Sequence, residues 1–113
     1  MSRIYESDGG AVYVNAISRI GDEDVEGHEY QLGGGNELQE LSFQQVTVSE
    51  VGNNGVTNEA VLAVVIHRLK FLQGKVPCRE NALAITKLEE AKMWLEERTR
   101  NRVARGVEGQ HKE

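Results

Sequence analysis

Proline is almost absent from this sequence: its 113 residues contain one, Pro77. Residues 78–105 also lack glycine, so no helix breaker interrupts that stretch. Pro77 suits a position at the start of a helix and Gly106 suits a C-terminal cap, which predicts one long helix over 79–105. Apolar residues recur there at spacings of three and four, as on the packed face of an amphipathic helix: Ala84, Ile85, Leu88, Ala91 and Leu95.

Cysteine and long apolar runs are equally scarce. The lone Cys78 cannot form an internal disulfide, which favours a reducing compartment. No apolar run approaches the ~20 residues of a membrane-spanning helix, and the N-terminus lacks the apolar region of a signal peptide. We therefore expect a cytoplasmic protein without a membrane partner.

Side-chain groupings typical of catalysis and of metal binding are missing as well. The histidines, His28, His67 and His111, are scattered over separate elements, and Cys78 has no histidine at motif spacing. The acidic run at 22–26 lacks the twelve-residue length and terminal glutamate of an EF-hand loop. No glycine-rich phosphate loop of known spacing occurs. We expect no catalytic site, metal or cofactor, and favour a binding protein over an enzyme.

The net charge of −5 is divided unevenly along the chain. Residues 1–52 carry two basic and ten acidic side chains, whereas residues 53–113 carry eleven basic and eight acidic ones. Such an acidic chain is a poor binder of long nucleic acid. Its local arginine cluster is compatible with a small phosphorylated ligand.

The first part of the sequence predicts an antiparallel sheet. Short strands are expected at 3–5 and 28–32, and a half-buried strand at 11–20. Residues 37–51 are also β-like, and Gln44-Gln45 indicates a bulge or corner there. The glycines at 33–35 predict a flexible turn rather than a tight hairpin.

The second part predicts two helices that return antiparallel as a hairpin. The first helix runs over 58–74 behind an N-cap at Thr57, and a short linker to Pro77 joins it to the long helix. The sequence therefore predicts an α+β protein, with a β-rich part over 1–52 and a helical part over 53–113 that form one compact domain. Because the second helix is longer, one end should project beyond its partner, and this favours self-association.

Polar residues continue the apolar stripe of the long helix at both ends. Asn81 lies three residues before Ala84. Arg98 and Arg102 lie three and seven residues after Leu95. Late arginines also complement the helix dipole, and that simpler role stays open. Four arginines are clustered near the end of the long helix: Arg98, Arg100, Arg102 and Arg105. Guanidinium groups suit bidentate phosphate recognition. Glu96 and Arg100 are expected to form an i,i+4 ion pair.

Phe71 lies off the main apolar stripe, near the end of the first helix. One hypothesis makes it a satellite core residue. The other makes it a platform on which a purine base stacks, an interaction worth about 1–3 kcal/mol.

The region from Ser42 to Gly109, about sixty per cent of the chain, resembles the phage family of the Thoeris anti-defence one type. The helical hairpin of that family is similar to that of the anti-CBASS two sponges. Three segments carry the resemblance: SFQQVTVSEVGNNGVTNEAVLAVVIHRLKFLQGK, PCRENALAITKLEEAKMWLEERT and RVARGVEG. The motifs CRENALAITKLEEA and RGVEG are the specific ones. Residues 1–41 contribute no quotable motif.

This resemblance implies a non-enzymatic sponge that sequesters a cyclic nucleotide immune signal intact. It implies glycocyclic ADP-ribose as ligand, cyclic di- or trinucleotides at separate sites, and a homo-oligomer, either a dimer or a trimer of dimers. The pocket would form between protomers. The residues that it would use are Phe71 for adenine stacking, Asn81 for a polar contact, and Arg98 and Arg102 for the pyrophosphate and stacking, with Arg79 and Arg105 as weaker additions.

Two alternatives stay open: an enzyme that degrades a cyclic nucleotide, and a plain oligomerisation or adaptor module. Recovery of intact or cleaved ligand separates the sponge from the enzyme. An arginine variant that keeps its assembly but loses nucleotide affinity excludes the adaptor.

Overall fold

The structure, a computed structural model, describes residues 1–18, 27–45 and 52–104. It divides into two compact units. The sheet unit comprises Met1–Gln45 and Asn53–Val56, and the hairpin unit contains both helices. The predicted class, an antiparallel sheet followed by a helical hairpin, is confirmed. The elements are β1 (Ser2–Glu6), β2 (Val12–Ile17), β3 (Glu29–Gly34), β4 (Glu37–Ser42), α1 (Asn58–Lys75) and α2 (Arg79–Ala104).

The four strands form an antiparallel meander in the order β1-β2-β3-β4. Gly34 pairs with Glu37, so only Gly35 and Asn36 connect β3 to β4. Gly35 adopts a φ of 59°, which suits a two-residue hairpin turn. The prediction of a loose turn was wrong, because Gly33 and Gly34 belong to the strand rather than to the connection.

Gly33 is required in β3 by the aromatic ring opposite it. It pairs with Tyr13, and a β-carbon at Gly33 would collide with the Tyr13 ring. The Arg3 guanidinium carbon lies 4.1 Å from the centroid of that ring. Arg3 Nε also donates to Asn15 Oδ1 at 2.6 Å, and Arg3 Nη1 pairs with Glu6 Oε1 at 2.8 Å. Buried Asn15 is thus satisfied within the sheet.

The last strand ends sooner than its sequence suggests. β4 stops at Ser42, and the predicted corner at Gln44-Gln45 is held instead by Asn54. Asn54 Oδ1 accepts from the backbone N–H of Gln45 at 2.9 Å, and the Asn54 N–H donates to Gln44 Oε1 at 3.0 Å. The remainder of the predicted strand, 46–51, and the acidic run at 22–26 lie outside the described residues.

Both helices of the hairpin begin at side-chain caps. Thr57 Oγ1 accepts from the Ala60 N–H at 3.1 Å, which confirms the predicted N-cap of α1. Cys78 Sγ accepts from the Asn81 N–H at 3.4 Å at the start of α2. Ile66 is buried, at 8% exposure. The predicted cap at Gly106 lies outside the described residues.

Two contacts between the helices show that they run antiparallel. Thr99 Oγ1 donates to Glu59 Oε2 at 3.5 Å, and Lys70 Nζ lies 2.8 Å from Glu89 Oε2. These pairs place Asn58 level with about residue 101, and Lys75 level with about residue 84. The described part of α2 thus extends past the start of α1 by about one turn. The self-association inferred from this greater length stays a prediction.

Candidate functional site

Phe71 lies on the outer side of α1. At 100° per residue it is about 140° around the helix from buried Ile66. Its side chain is 50% exposed, so it does not belong to the core of this chain. Two cations approach the ring: Arg68 Cζ lies 6.0 Å and Lys75 Nζ lies 5.3 Å from its centroid. The result is an exposed aromatic surface beside positive charge.

Arg68 and Lys75 were missed from the sequence. They stand three residues before and four residues after Phe71, the two spacings at which helix side chains meet. The signal was therefore present in the sequence. The apolar stripe that predicts the packed face does not include these residues, because they lie on the opposite side of the helix.

Asn81 and Arg79 lie at the start of α2. The backbone of Asn81 is used by the Cys78 cap, while its side-chain amide makes no hydrogen bond to another described residue. Arg79 is exposed and has no ion pair within the described part of the chain. Both polar groups remain available for an external partner.

The arginines near the end of α2 differ in environment. Arg102 is buried, at 8% exposure, and lies on the packed side with Leu95 and Thr99, as predicted. Arg98 is exposed, and so is Ala91. Their predicted place on the packed face was wrong, because from Leu88 the stripe continues through Lys92 and Thr99. Arg105 lies outside the described residues.

Neighbouring charges on α2 neutralise each other. Arg100 Nη2 lies 2.6 Å from Glu97 Oε2, and Lys92 Nζ lies 2.9 Å from Glu96 Oε2. The predicted Glu96–Arg100 pair is therefore replaced by two others. By contrast, Arg98 has no carboxylate partner among the described residues. Its charge is available to an anion.

The predicted site residues do not converge within one chain. Seventeen residues of α2 separate Asn81 from Arg98, a distance of about 25 Å along the helix. Asn81 and Arg102 are about 32 Å apart on the same measure. Ligand pockets of about 300–1,000 Å³ are roughly 10 Å across. One hairpin alone cannot place both groups on one small molecule.

A separate groove of about 350 Å³ runs between the two helices. Its cations are matched by carboxylates, through the Lys70–Glu89 and Lys92–Glu96 pairs. None of the predicted ligand residues lines it. The groove is therefore a poor match for an anionic ligand. Its lining is Ala63, Ile66, His67, Lys70, Glu89, Lys92 and Glu96.

Two further observations concern metals and membranes. Within residues 1–18, 27–45 and 52–104, no three His, Cys, Asp or Glu side chains come together as metal ligands. Neither of the two described helices combines the length and apolar character needed to cross a bilayer.

Comparison with known families identifies the family to which the hairpin belongs. Residues 37–100 match the family model described as "Acb2/Tad1, hairpin domain", which covers more than half of the sequence. The chain belongs to this family. The match begins with β4 and ends near the last turn of α2, so the Acb2/Tad1 hairpin domain contains Phe71, Asn81 and Arg98. The resemblance inferred from the sequence motifs is confirmed.

A curated relative supports the same assignment. "Thoeris anti-defense 1" of Bacillus phage SBSphiJ7 is 56% identical over 75 residues. The aligned region covers 66% of this chain and 53% of that protein. The chain thus spans about half the length of this relative.

Proposed function

We propose that this protein is a phage anti-defence sponge, which binds glycocyclic ADP-ribose and holds it intact in the cytoplasm of the infected bacterium. Membership of the Acb2/Tad1 family and the name of the phage relative support an anti-defence role. The observation that carries the ligand class is the half-exposed Phe71 ring with its adjacent cations. An aromatic platform beside positive charge suits a base joined to phosphates.

The proposed pocket is shared between protomers. Phe71 and Asn81 lie near the hairpin turn, whereas Arg98 and Arg102 lie near the other end of α2. Two hairpins packed head to tail bring the turn of one beside the arginines of the other. This arrangement overcomes the separation of about 25 Å within a single α2.

Exposed apolar side chains support a homo-oligomer, either a dimer or a trimer of dimers. Trp94 is 62% exposed on α2. Ile66 is the one apolar side chain of the described hairpin that is buried. A unit of this size with so small a core gains stability when a second copy covers its apolar surface. The other exposed apolar residues of the helices include Val64, Val65, Leu83, Met93 and Val103.

Sequestration requires tight binding and slow release rather than transition-state chemistry. In this proposal Cys78 is a capping residue, consistent with its sulfur accepting a backbone hydrogen bond. Arginine forks hold the pyrophosphate, and a closed pocket excludes linear nucleotides by shape. Cyclic di- and trinucleotides have no assigned residues here, so the proposal is confined to the ADP-ribose ligand.

The first test asks what happens to the ligand. The protein is incubated with glycocyclic ADP-ribose, freed of unbound material and heat-denatured, and the supernatant is analysed. Recovery of intact ligand supports the sponge. Recovery of a cleaved product makes the protein an enzyme, and a ligand that is never retained contradicts both functions.

The second test compares two arginines two residues apart. Arg98→Ala should weaken binding about 10- to 100-fold, because it removes a charge-assisted contact that no described carboxylate competes for. Arg100→Ala is the matched control, since Arg100 is already paired with Glu97. Affinity is measured by calorimetry and assembly by light scattering. Equal affinity in both variants, with assembly retained, would favour the adaptor alternative.

A further inference from the structure

Four side chains form an outer stripe along α1: Val64, Arg68, Phe71 and Lys75. Their spacings of four, three and four place them together on the side of the helix opposite Ile66. Val64 is exposed, as is Phe71. The outer stripe is thus apolar surface interrupted by two positive charges.

The two cations of the outer stripe are not neutralised by the described part of the chain. Neither Arg68 nor Lys75 has a carboxylate partner there, and the one charged or ring interaction that each makes is with the Phe71 ring. Lys70, on the same helix, is instead paired with Glu89 at 2.8 Å. The unpaired charge is therefore concentrated where the aromatic ring is exposed.

We propose that Arg68 and Lys75 bind the phosphates of the nucleotide whose base stacks on Phe71. This inference rests on the proposed function and extends its pocket by two residues. Without ligand, the two cations lie against the ring. A base that stacks on Phe71 displaces them, because base–aromatic stacking is stronger than a cation–π contact at an exposed site.

The displaced cations remain close to the ligand. Both are attached to the same helix within about one turn of Phe71, and both have long flexible stems. The Arg68 guanidinium can then take two phosphate oxygens as a fork, while Lys75 acts as a point charge. The same two residues thus lie beside the ring before binding and neutralise the phosphates afterwards.

The experiment measures the affinity of glycocyclic ADP-ribose for the full chain by calorimetry at low and high salt. The variants are Arg68→Gln, Lys75→Gln and the double variant, and Lys70→Gln is the matched control. At low salt each single variant should lose about tenfold in affinity, and the double variant more, as expected for lost hydrogen bonds to a charged group. Lys70→Gln should bind like the wild type. At high salt, screening should reduce the differences in affinity between these variants and the wild type.

Two results would overturn the inference alone. One is wild-type affinity in both single variants and in the double variant. The other is a loss of equal size at low and high salt, which would mean that the side chains only support the orientation of the ring. If the wild type itself fails to bind glycocyclic ADP-ribose, the proposed function falls and this inference falls with it.

Discussion

One arginine of the sheet unit and two arginines of the hairpin unit have opposite environments. In the sheet, Arg3 is fully engaged with Glu6, Asn15 and the ring of Tyr13. In the hairpin, Arg68 and Arg98 have no carboxylate partner among the described residues. A cation that is satisfied internally stabilises the fold, whereas one that is left unpaired at the surface is available to a ligand. The difference favours the hairpin as the place of the proposed recognition.

The aromatic rings show the same contrast. Tyr13 lies against Gly33 and beneath Arg3, so both neighbours belong to its own sheet. Phe71 leaves half of its surface exposed.

The largest expected effect distinguishes a buried position of the hairpin from an exposed one. Ile66→Ala should lower the free energy of unfolding by about 2–3 kcal/mol, because it removes apolar contact at the most buried apolar position of the described hairpin. Phe71→Ala should change that free energy by no more than about 0.5 kcal/mol but weaken nucleotide binding by about 1–3 kcal/mol. Denaturant unfolding at fixed protein concentration and calorimetry measure the two quantities. Equal destabilisation by both variants would place Phe71 in a core.

The next effect tests whether the sheet has only a structural role. Gly33→Ala forces the Tyr13 ring away from its strand neighbour and should cost about 1–3 kcal/mol of unfolding free energy. Nucleotide affinity should not change. Gly34→Ala is the control, since its added carbon would lie 3.8 Å from Val12 Cγ2, an ordinary contact. A loss of affinity in a folded Gly33→Ala protein would show that the sheet takes part in binding.

A smaller effect concerns the hairpin turn. Gln73 Oε1 accepts from the Cys78 N–H at 3.0 Å, and Gln73 Nε2 donates to the Cys78 carbonyl at 3.1 Å. Gln73→Ala removes both bonds and should cost about 1 kcal/mol of unfolding free energy. Gln73→Glu keeps the acceptor and should cost less. If thermal unfolding shows no difference between these variants and the wild type, the two hydrogen bonds between Gln73 and Cys78 do not stabilise the turn.

The smallest effect compares a paired lysine with an unpaired one. Lys70→Ala should lower the free energy of unfolding by about 0.2–1 kcal/mol, since it breaks an exposed ion pair with Glu89. Lys87→Ala should leave that free energy nearly unchanged, because Lys87 is exposed on α2 and has no ion pair among the described residues. Exchanging the charges in the double variant Lys70→Glu, Glu89→Lys should restore stability at low salt. Equal losses from Lys70→Ala and Lys87→Ala would contradict the distinction between paired and unpaired cations.

Much of this fold could be predicted because the signals are local. Helix breakers, apolar spacing and the hydroxyl of Thr57 act within a few residues of where they stand, so the predicted helices are close to Asn58–Lys75 and Arg79–Ala104. The candidate site was harder to predict from the sequence. The sequence identified Phe71, and the spacings of three and four residues contained the signal for Arg68 and Lys75. Only the tertiary structure shows that half of the ring stays exposed.

The sequence by itself determined the order of the elements, the antiparallel hairpin and the family, because caps, periodicity and motifs are written in neighbouring residues. Only the tertiary structure decided which glycines enter a strand, which lysine of α1 is paired across the hairpin and which face of α1 remains outside. Those outcomes depend on residues that are distant in sequence, such as Tyr13 with Gly33 and Lys70 with Glu89. Such contacts form only when the chain is folded, so no local pattern encodes them.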